Sequence, residues 1–422
     1  MVDASWLGFS PVIWIAGSLA LYMAWAIGAN DVANAMGTSV GSGSLTIRKA
    51  VIIAGIMEFC GAYFVGGHVT DTVRKGILDT AAFAGNPDIL KFGMLGALAA
   101  AATLLVGATR FGLPVSTTHA IVGAIVGFGV VGIGPEAVAW GKVAEIMASW
   151  VTSPLIGGVL GYGIFQLIRR LILDREDPLQ EAKRYAPAFF FVVFFTIGLV
   201  TLFKGLKNMN LDYDLPEALL RAALVGIVGA ALGALMIRRM KTLETPEDDR
   251  FLQTEQVFMV LVVLTASSVA FAHGSNDVAN AIGPLASVIN IEQGIEVAGK
   301  TAVAPWMLVV GGIGIVVGLA TWGYKVMETI GKKITELTPS RAFSAELAAA
   351  LTIVVASRMG IPVSTTHILV GSVLGVGLAR GIGALDLRVV AKIAISWVLT
   401  LPIAGLLSIF FFYFFKGLLT PQ

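Results

Sequence analysis

The chain predicts an all-α polytopic membrane protein of about twelve transmembrane helices, built as two repeats of opposite topology. Three observations carry this. First, 56% of its 422 residues are hydrophobic and only 13% are charged, whereas a soluble domain carries roughly 25% charged residues. Second, apolar runs of about 20 residues, the length of a membrane-spanning helix, recur from end to end. They do not alternate with polar residues as barrel strands do. Third, three blocks occur twice in the same order. GANDVANAMG (28–37) returns as HGSNDVANAIG (273–283), offset by 246 positions. GLPVSTTHAIVGAIVG (112–127) returns as GIPVSTTHILVGSVLG (360–375), offset by 248, and SWV (149–151) returns at 396–398, offset by 247. Ordered blocks at nearly one offset mean internal duplication.

Twelve segments follow in order. In the first half, 11–34 ends in the first Asn-Asp block. The next, 50–70, carries Glu58 and the lone Cys60, which excludes an internal disulfide; 89–109 is plainly apolar. Segment 112–133 opens on Gly-x-Pro and is rich in Ser, Thr and Gly, so it predicts a broken or re-entrant hairpin. Segment 140–168 carries the first SWV. Segments 187–203 and 218–237 link the halves. The second half repeats the order: 256–283 with the second Asn-Asp block, 303–324, 341–357 with Glu346, the second re-entrant candidate 360–378, and 389–415. The organisation expected is repeat 1 over 1–173, linking helices and a cytoplasmic loop over 174–255, and repeat 2 over 256–422. The hydrophilic stretch 241–255 reads as a solvated connector.

Orientation comes from Lys and Arg. Arg169, Arg170, Arg175, Lys183 and Arg184 mark one connection, and Arg238, Arg239, Lys241 and Arg250 another; both go to the cytoplasm. Counting outward from them places both termini outside and gives the repeats opposite topology. Arg48 and Lys49 then fall inside, as expected, while Arg74, Lys75 and Lys91 fall outside, beside Asp71, Asp79 and Asp88, a poorer fit. The opening residues predict no removable signal peptide. A net charge of +2 gives no sign of a nucleic-acid partner.

The polar blocks carry the chemistry. Asn30, Asp31 and Asn34, with Asn276, Asp277 and Asn280, place two carboxylates and four amides in apolar surroundings. An intramembrane carboxylate costs roughly 3 kcal/mol on insertion scales and marks function. Hard oxygen donors suit small hard cations, with Na+ as first choice. Gly28 and Gly274 are expected to open the helices locally. The alternative is hydrogen-bonding glue between helices, which two matching copies disfavour. The second pair of blocks, Ser116, Thr117 and Thr118 with Ser364, Thr365 and Thr366, each follows a proline and begins a helix. A helix start offers free N–H groups and the positive end of its dipole, a ready site for phosphate. Here the alternative is a capped helix whose hydroxyls bond their own backbone. His119 and His367 are expected to make structural hydrogen bonds to neighbouring helices, with a proton relay as the alternative, and neither is placed in the site. Glu58, in mid-span, is expected to serve coupling. The case for Glu346 is weaker, since it lies near a span start.

No ring of Arg or Lys lies in the repeated motifs, which argues against an anion channel. No nucleotide loop, metal-ligand His cluster or Ser-His-Asp arrangement supports an enzyme. Two aspartates favour a protonated oxyanion such as phosphate over sulfate. Asp31, Asp277 and divalent phosphate together hold four negative charges, so at least two cations should accompany each anion.

The stretch GANDVANAMGTSVGSGSLTIRKA, the stretch HGSNDVANAIGP and both PVSTTH blocks resemble the inorganic phosphate transporter family, over nearly the whole chain. The resemblance implies twelve helices, inverted repeats, external termini and phosphate uptake by symport with Na+ or H+. On the reading of the polar blocks, phosphate is expected at Ser116, Thr117, Thr118, Ser364, Thr365, Thr366, Asn34 and Asn280. Sodium is expected, on the same reading, at Asn30, Asp31, Asn34, Asn276, Asp277 and Asn280; the resemblance itself adds the two glutamates. Glu58 and Glu346 match the family's essential glutamates. The long central loop of eukaryotic members is missing, which implies a prokaryotic plasma membrane. No cofactor is implied beyond co-transported Na+ or H+, and a homodimer is compatible with the pattern.

Overall fold

The computed structural model describes residues 10–68, 77–202, 213–240, 250–295, 303–358 and 363–420. Gly360 and Pro362, which open the second hydroxyl block, Arg74, Lys75, Asp71 and the linker residues 241–249 lie outside the described residues. Thirteen principal helices follow in order. They are α1 (Pro11–Asn30), α2 (Ala33–Gly41), α3 (Ile47–Val65), α4 (Pro87–Arg110), α5 (Thr117–Gly132), α6 (Trp140–Ile168) and α7 (Pro178–Val200), then α8 (Leu215–Arg239), α9 (Arg250–Glu292), α10 (Pro305–Trp322), α11 (Pro339–Arg358), α12 (Thr365–Leu378) and α13 (Leu387–Leu419). Local sequence explains the starts. Proline occupies the first or second position of α1, α4, α7, α8 and α10, where a missing N–H is harmless. Asp177, Asp214 and Asp386 cap α7, α8 and α13.

A helix occupies each predicted segment. Among the described residues, nine helices rather than twelve are long and apolar enough to cross a membrane. α5 and α12 are shorter apolar helices. α3, with Arg48 and Lys49 in its first turn and Glu58 in mid-helix, is not among the nine. The predicted connector ends early: residues 250–255 already belong to α9, and buried Glu255 accepts from the Ser340 backbone N–H at 2.6 Å and its hydroxyl at 2.7 Å. α11 is thereby fastened to α9 at its first turn.

The two halves pack crosswise. α1 lies against α10 and α9 against α3, so each half's first helix packs on the other's second. α6 packs on α11 and α12, and α13 on α4 and α5. Gly28 and Gly274 serve this packing and do not open their helices. A β-carbon at Gly28 would lie 1.8 Å from the Ile315 carbonyl oxygen, and one at Gly274 would lie 2.2 Å from that of Glu58. Only glycine lets the backbones meet so closely.

The two Asn-Asp blocks differ in backbone. In the first, the helix is interrupted after Asn30 and resumes at Ala33. The break is mild, because Asp31 and Val32 keep right-handed angles (φ −86°, ψ −21° and φ −64°, ψ −20°). In the second, α9 runs unbroken through Asn276–Asn280.

Candidate functional site

The short link between α4 and α5 reaches the end of α1, and Asn30 fastens it there. Its amide nitrogen donates to Thr109 Oγ1 at 2.9 Å and to the Leu113 carbonyl at 3.1 Å, and its oxygen accepts from the Val115 N–H at 3.2 Å. Both ends of the side chain are thus engaged by the hairpin. Asn30 positions the hydroxyl block, and Val115 takes one of the two lone-pair directions of its side-chain oxygen.

Asp31 is the meeting point of both hairpins. Thr117, at the start of α5, donates to one carboxylate oxygen. Thr366, in the first turn of α12, donates to the other at 2.6 Å, and Asn34 donates to that same oxygen at 2.5 Å. Asn34 also donates to Thr366 Oγ1 at 2.9 Å. The hydroxyls used are therefore the middle one of the first block and the last one of the second. Ser116 and Ser364 do something else. Each caps its own helix, accepting from the backbone N–H of His119 or His367 at 3.3 Å. Thr118 and Thr365 are half-buried and outside the Asp31 bond set.

Asp277 comes to the same place from α9. His273, one turn earlier, sets its Nε2 2.6 Å from Asp277 Oδ2 and 3.9 Å from Asp31 Oδ2. Its Nδ1 lies 2.8 and 2.9 Å from the two oxygens of Glu58. Asn276 donates to Asp277 Oδ1 at 2.9 Å. Asp31, Asp277, Glu58 and His273 are all buried, and donor atoms of Asp31, His273 and Asp277 lie within 4.8 Å of one another. Three carboxylates thus surround one imidazole, and His273 is the only basic group that the described residues place against them. With all three carboxylates ionised, even a charged His273 would leave excess negative charge in a water-poor interior, to be offset by cations or by protons. Asn34 Oδ1 and Asn280 Nδ2 are buried there and have no hydrogen-bond partner among the described residues. An unsatisfied buried polar atom costs about 1–3 kcal/mol, so these two are open valences for a ligand.

Glu346 forms a separate pocket one helical turn along α2 from Asn34. Thr38 and Ser39 donate to one oxygen at 2.5 and 2.9 Å, and Thr265 donates to the other. It is fully buried, eight residues into α11 counting Pro339 as the first, so the reading of an acid at a span start does not describe it.

His273 is the site residue that sequence reasoning missed. Its signal was available: it precedes Asp277 by four positions, so a helix puts both on one face. The first repeat has Ile27 at that position, so a search for repeated residues passes over it.

Long apolar helices around a buried, charged, two-sided cluster define an integral membrane protein whose polar site is built from both halves of the chain. Residues 27–408 match the phosphate transporter family, and the chain belongs to it. It is 45% identical over 410 residues to a Haemophilus influenzae protein named "Putative phosphate permease", covering 97% of this chain and 96% of that protein. It is 44% identical to the chloroplastic inorganic phosphate transporter 2-1 of Arabidopsis thaliana, over 94% of this chain and 71% of that protein. A solved structure of a sodium-dependent phosphate transporter superposes with a TM-score of 0.87 at 39% identity, covering 97% of this chain and all of that one. The family and the solved neighbour are transporters.

Proposed function

We propose that this protein is a secondary active transporter that imports inorganic phosphate by symport with Na+, at two or more cations per phosphate. The observation that carries the reading is Asp31, bonded at once by Thr117 and Thr366, beside His273 and Asp277. Hydroxyls and helix starts of both hairpins and carboxylates of both repeats thus share one place. The helix starts offer N–H groups and positive dipole ends to the anion, with Thr117, Thr118, Thr365 and Thr366 beside them. Ser116 and Ser364 contribute by capping those starts. Asn280 Nδ2 is a free donor for phosphate, and Asn34 Oδ1 a free acceptor for a cation. Asp31 and Asp277 hold the cations, with Glu58 tuning them through His273, and Asn276 orients Asp277. Glu346 belongs to coupling.

The crosswise packing of the halves supports inverted repeats, with hairpins α4–α5 and α11–α12 entering from opposite faces; the Lys and Arg of the central connections support external termini, in a plasma membrane. The sodium-dependent neighbour supports Na+. A second reading, H+ coupling, is favoured by the imidazole held between Glu58 and Asp277. Uptake of radiolabelled phosphate into proteoliposomes, with Na+ and pH gradients imposed separately, separates the two. Uptake driven by the Na+ gradient at equal pH is expected. Uptake driven by the pH gradient alone, without Na+, would overturn Na+ coupling in favour of H+.

A further inference from the structure

The repeated histidines and the SWV echo come together in one feature that the phosphate and cation sites leave unexplained. Behind the two helix starts, four rings stand in a row: Trp150, His119, His367 and Trp397. His119 lies 3.6 Å, centroid to centroid, from Trp150, and 4.3 Å edge-on from His367. His367 stacks on Trp397 at 3.6 Å with planes 22° apart. Both histidines are buried. Trp150 is on α6 and Trp397 on α13, so the row ties each hairpin to a long helix and the hairpins to each other. Two hydrogen bonds cross between the repeats. The Trp397 indole donates to the Pro114 carbonyl at 3.0 Å, and His367 Nδ1 donates to the Trp150 carbonyl at 3.3 Å.

The histidines are not equivalent. His367 makes the interhelical bond expected of both, while neither ring nitrogen of His119 has a partner. Among the described residues, no chain of donors and acceptors passes through His119, as a proton relay requires. What His119 offers is its ring, pressed between Trp150 and His367.

We propose that His119 and His367 are positioning residues whose stacked rings fix the spacing of the two helix starts, and so set which tetrahedral oxyanion the clasp accepts. This rests on the phosphate-clasp reading. His119 follows Thr117 by two residues and His367 follows Thr366 by one, so a shift in the stack moves the hydroxyls that hold Asp31. The role of His119 is aromatic; that of His367 is aromatic and polar.

The test compares rings with equally bulky non-rings. His119→Phe, His119→Leu, His367→Phe and His367→Leu are reconstituted, and phosphate KM, Vmax and inhibition by the larger oxyanion arsenate are measured. His119→Phe should keep KM within about twofold. The two Leu variants should raise it about tenfold, the weight of a lost aromatic pair, with less change in Vmax and weaker discrimination against arsenate. His367→Phe should fall between, having lost one hydrogen bond. His119→Phe as damaging as His119→Leu would overturn the proposal, since the nitrogens would then matter. Native KM and selectivity in His119→Leu would overturn it as well. Phosphate uptake by the native protein, measured alongside, decides the clasp reading separately: its absence sinks that reading, whereas the Phe-against-Leu pattern decides the stack.

Discussion

The sequence Asn-Asp-Val-Ala-Asn occurs at 30–34 and again at 276–280, and the two copies do different work. The first lies at a helix interruption, and its aspartate is held by hydroxyls from both hairpins. The second lies inside an unbroken helix, and its aspartate is held by its own helix, through His273 one turn before and Asn276 beside it. Their leading asparagines differ as well: Asn30 clamps the α4–α5 hairpin, while Asn276 is half-buried and spends its amide on Asp277. Duplication supplies the same side chains twice; what surrounds each copy assigns the task. Copy one joins the hairpins, and copy two gathers charge.

The largest expected effect breaks copy one. Asp31→Asn removes the charge that Thr117, Thr366 and Asn34 all address. Losing even two bonds to a charged group, at about 1.5–3 kcal/mol each, should lower phosphate uptake at least about a hundredfold. Asp277→Asn should also nearly abolish transport, yet its residual uptake should show the weaker Na+ dependence of the two, because Asp31 divides its carboxylate between the cation cluster and the hairpin hydroxyls, whereas Asp277 faces the cluster alone. Equal residual Na+ dependence in both variants would erase the distinction between the copies.

A smaller effect sharpens the comparison between hairpins. Thr366 bonds both Asp31 and Asn34, whereas its neighbour Thr365 bonds neither. Thr366→Ala should raise phosphate KM roughly tenfold or more, by loss of a hydrogen bond to a charged group, and Thr365→Ala should raise it less. Uptake kinetics at saturating Na+ check this, and the reverse order would mean that the hydroxyls take another arrangement when phosphate binds.

Smaller still is the effect of Ser116→Ala. As the cap of α5, it should lower stability by about 1 kcal/mol, read as a lower thermal midpoint in detergent. Phosphate affinity should change less than in Thr366→Ala. A drop in affinity as large as that of Thr366→Ala would return Ser116 to the anion's direct ligands.

Much of this site was legible in the sequence because duplicated polar residues in apolar surroundings need a reason to exist. Asp31 and Asp277 were found that way, and so were the helix starts at Thr117 and Thr365, since a proline and a serine cap mark them locally. What was not legible depends on distant partners. Glu346 finds Thr38, Ser39 and Thr265 on two other helices, and no spacing within its own segment announces them. Gly28 and Gly274 suggested open helices, but what they meet is the carbonyl of a residue in the opposite repeat. His273 has no counterpart in the first repeat, where Ile27 stands, so repetition does not mark it. The choice of Thr117 and Thr366 over their repeat equivalents is likewise set by how two hairpins meet one carboxylate.

The most direct test of the central claim, that both copies contribute cation sites to one phosphate site, is the ratio of sodium to phosphate moved. Radiolabelled sodium and phosphate are counted together in proteoliposomes, for the native protein and for Asp277→Asn. At least two sodium ions per phosphate are expected in the native protein, with a lower ratio in whatever uptake Asp277→Asn retains. One sodium or none per phosphate in the native protein would contradict the account and leave these aspartates as hydrogen-bond partners that merely hold the hairpins together.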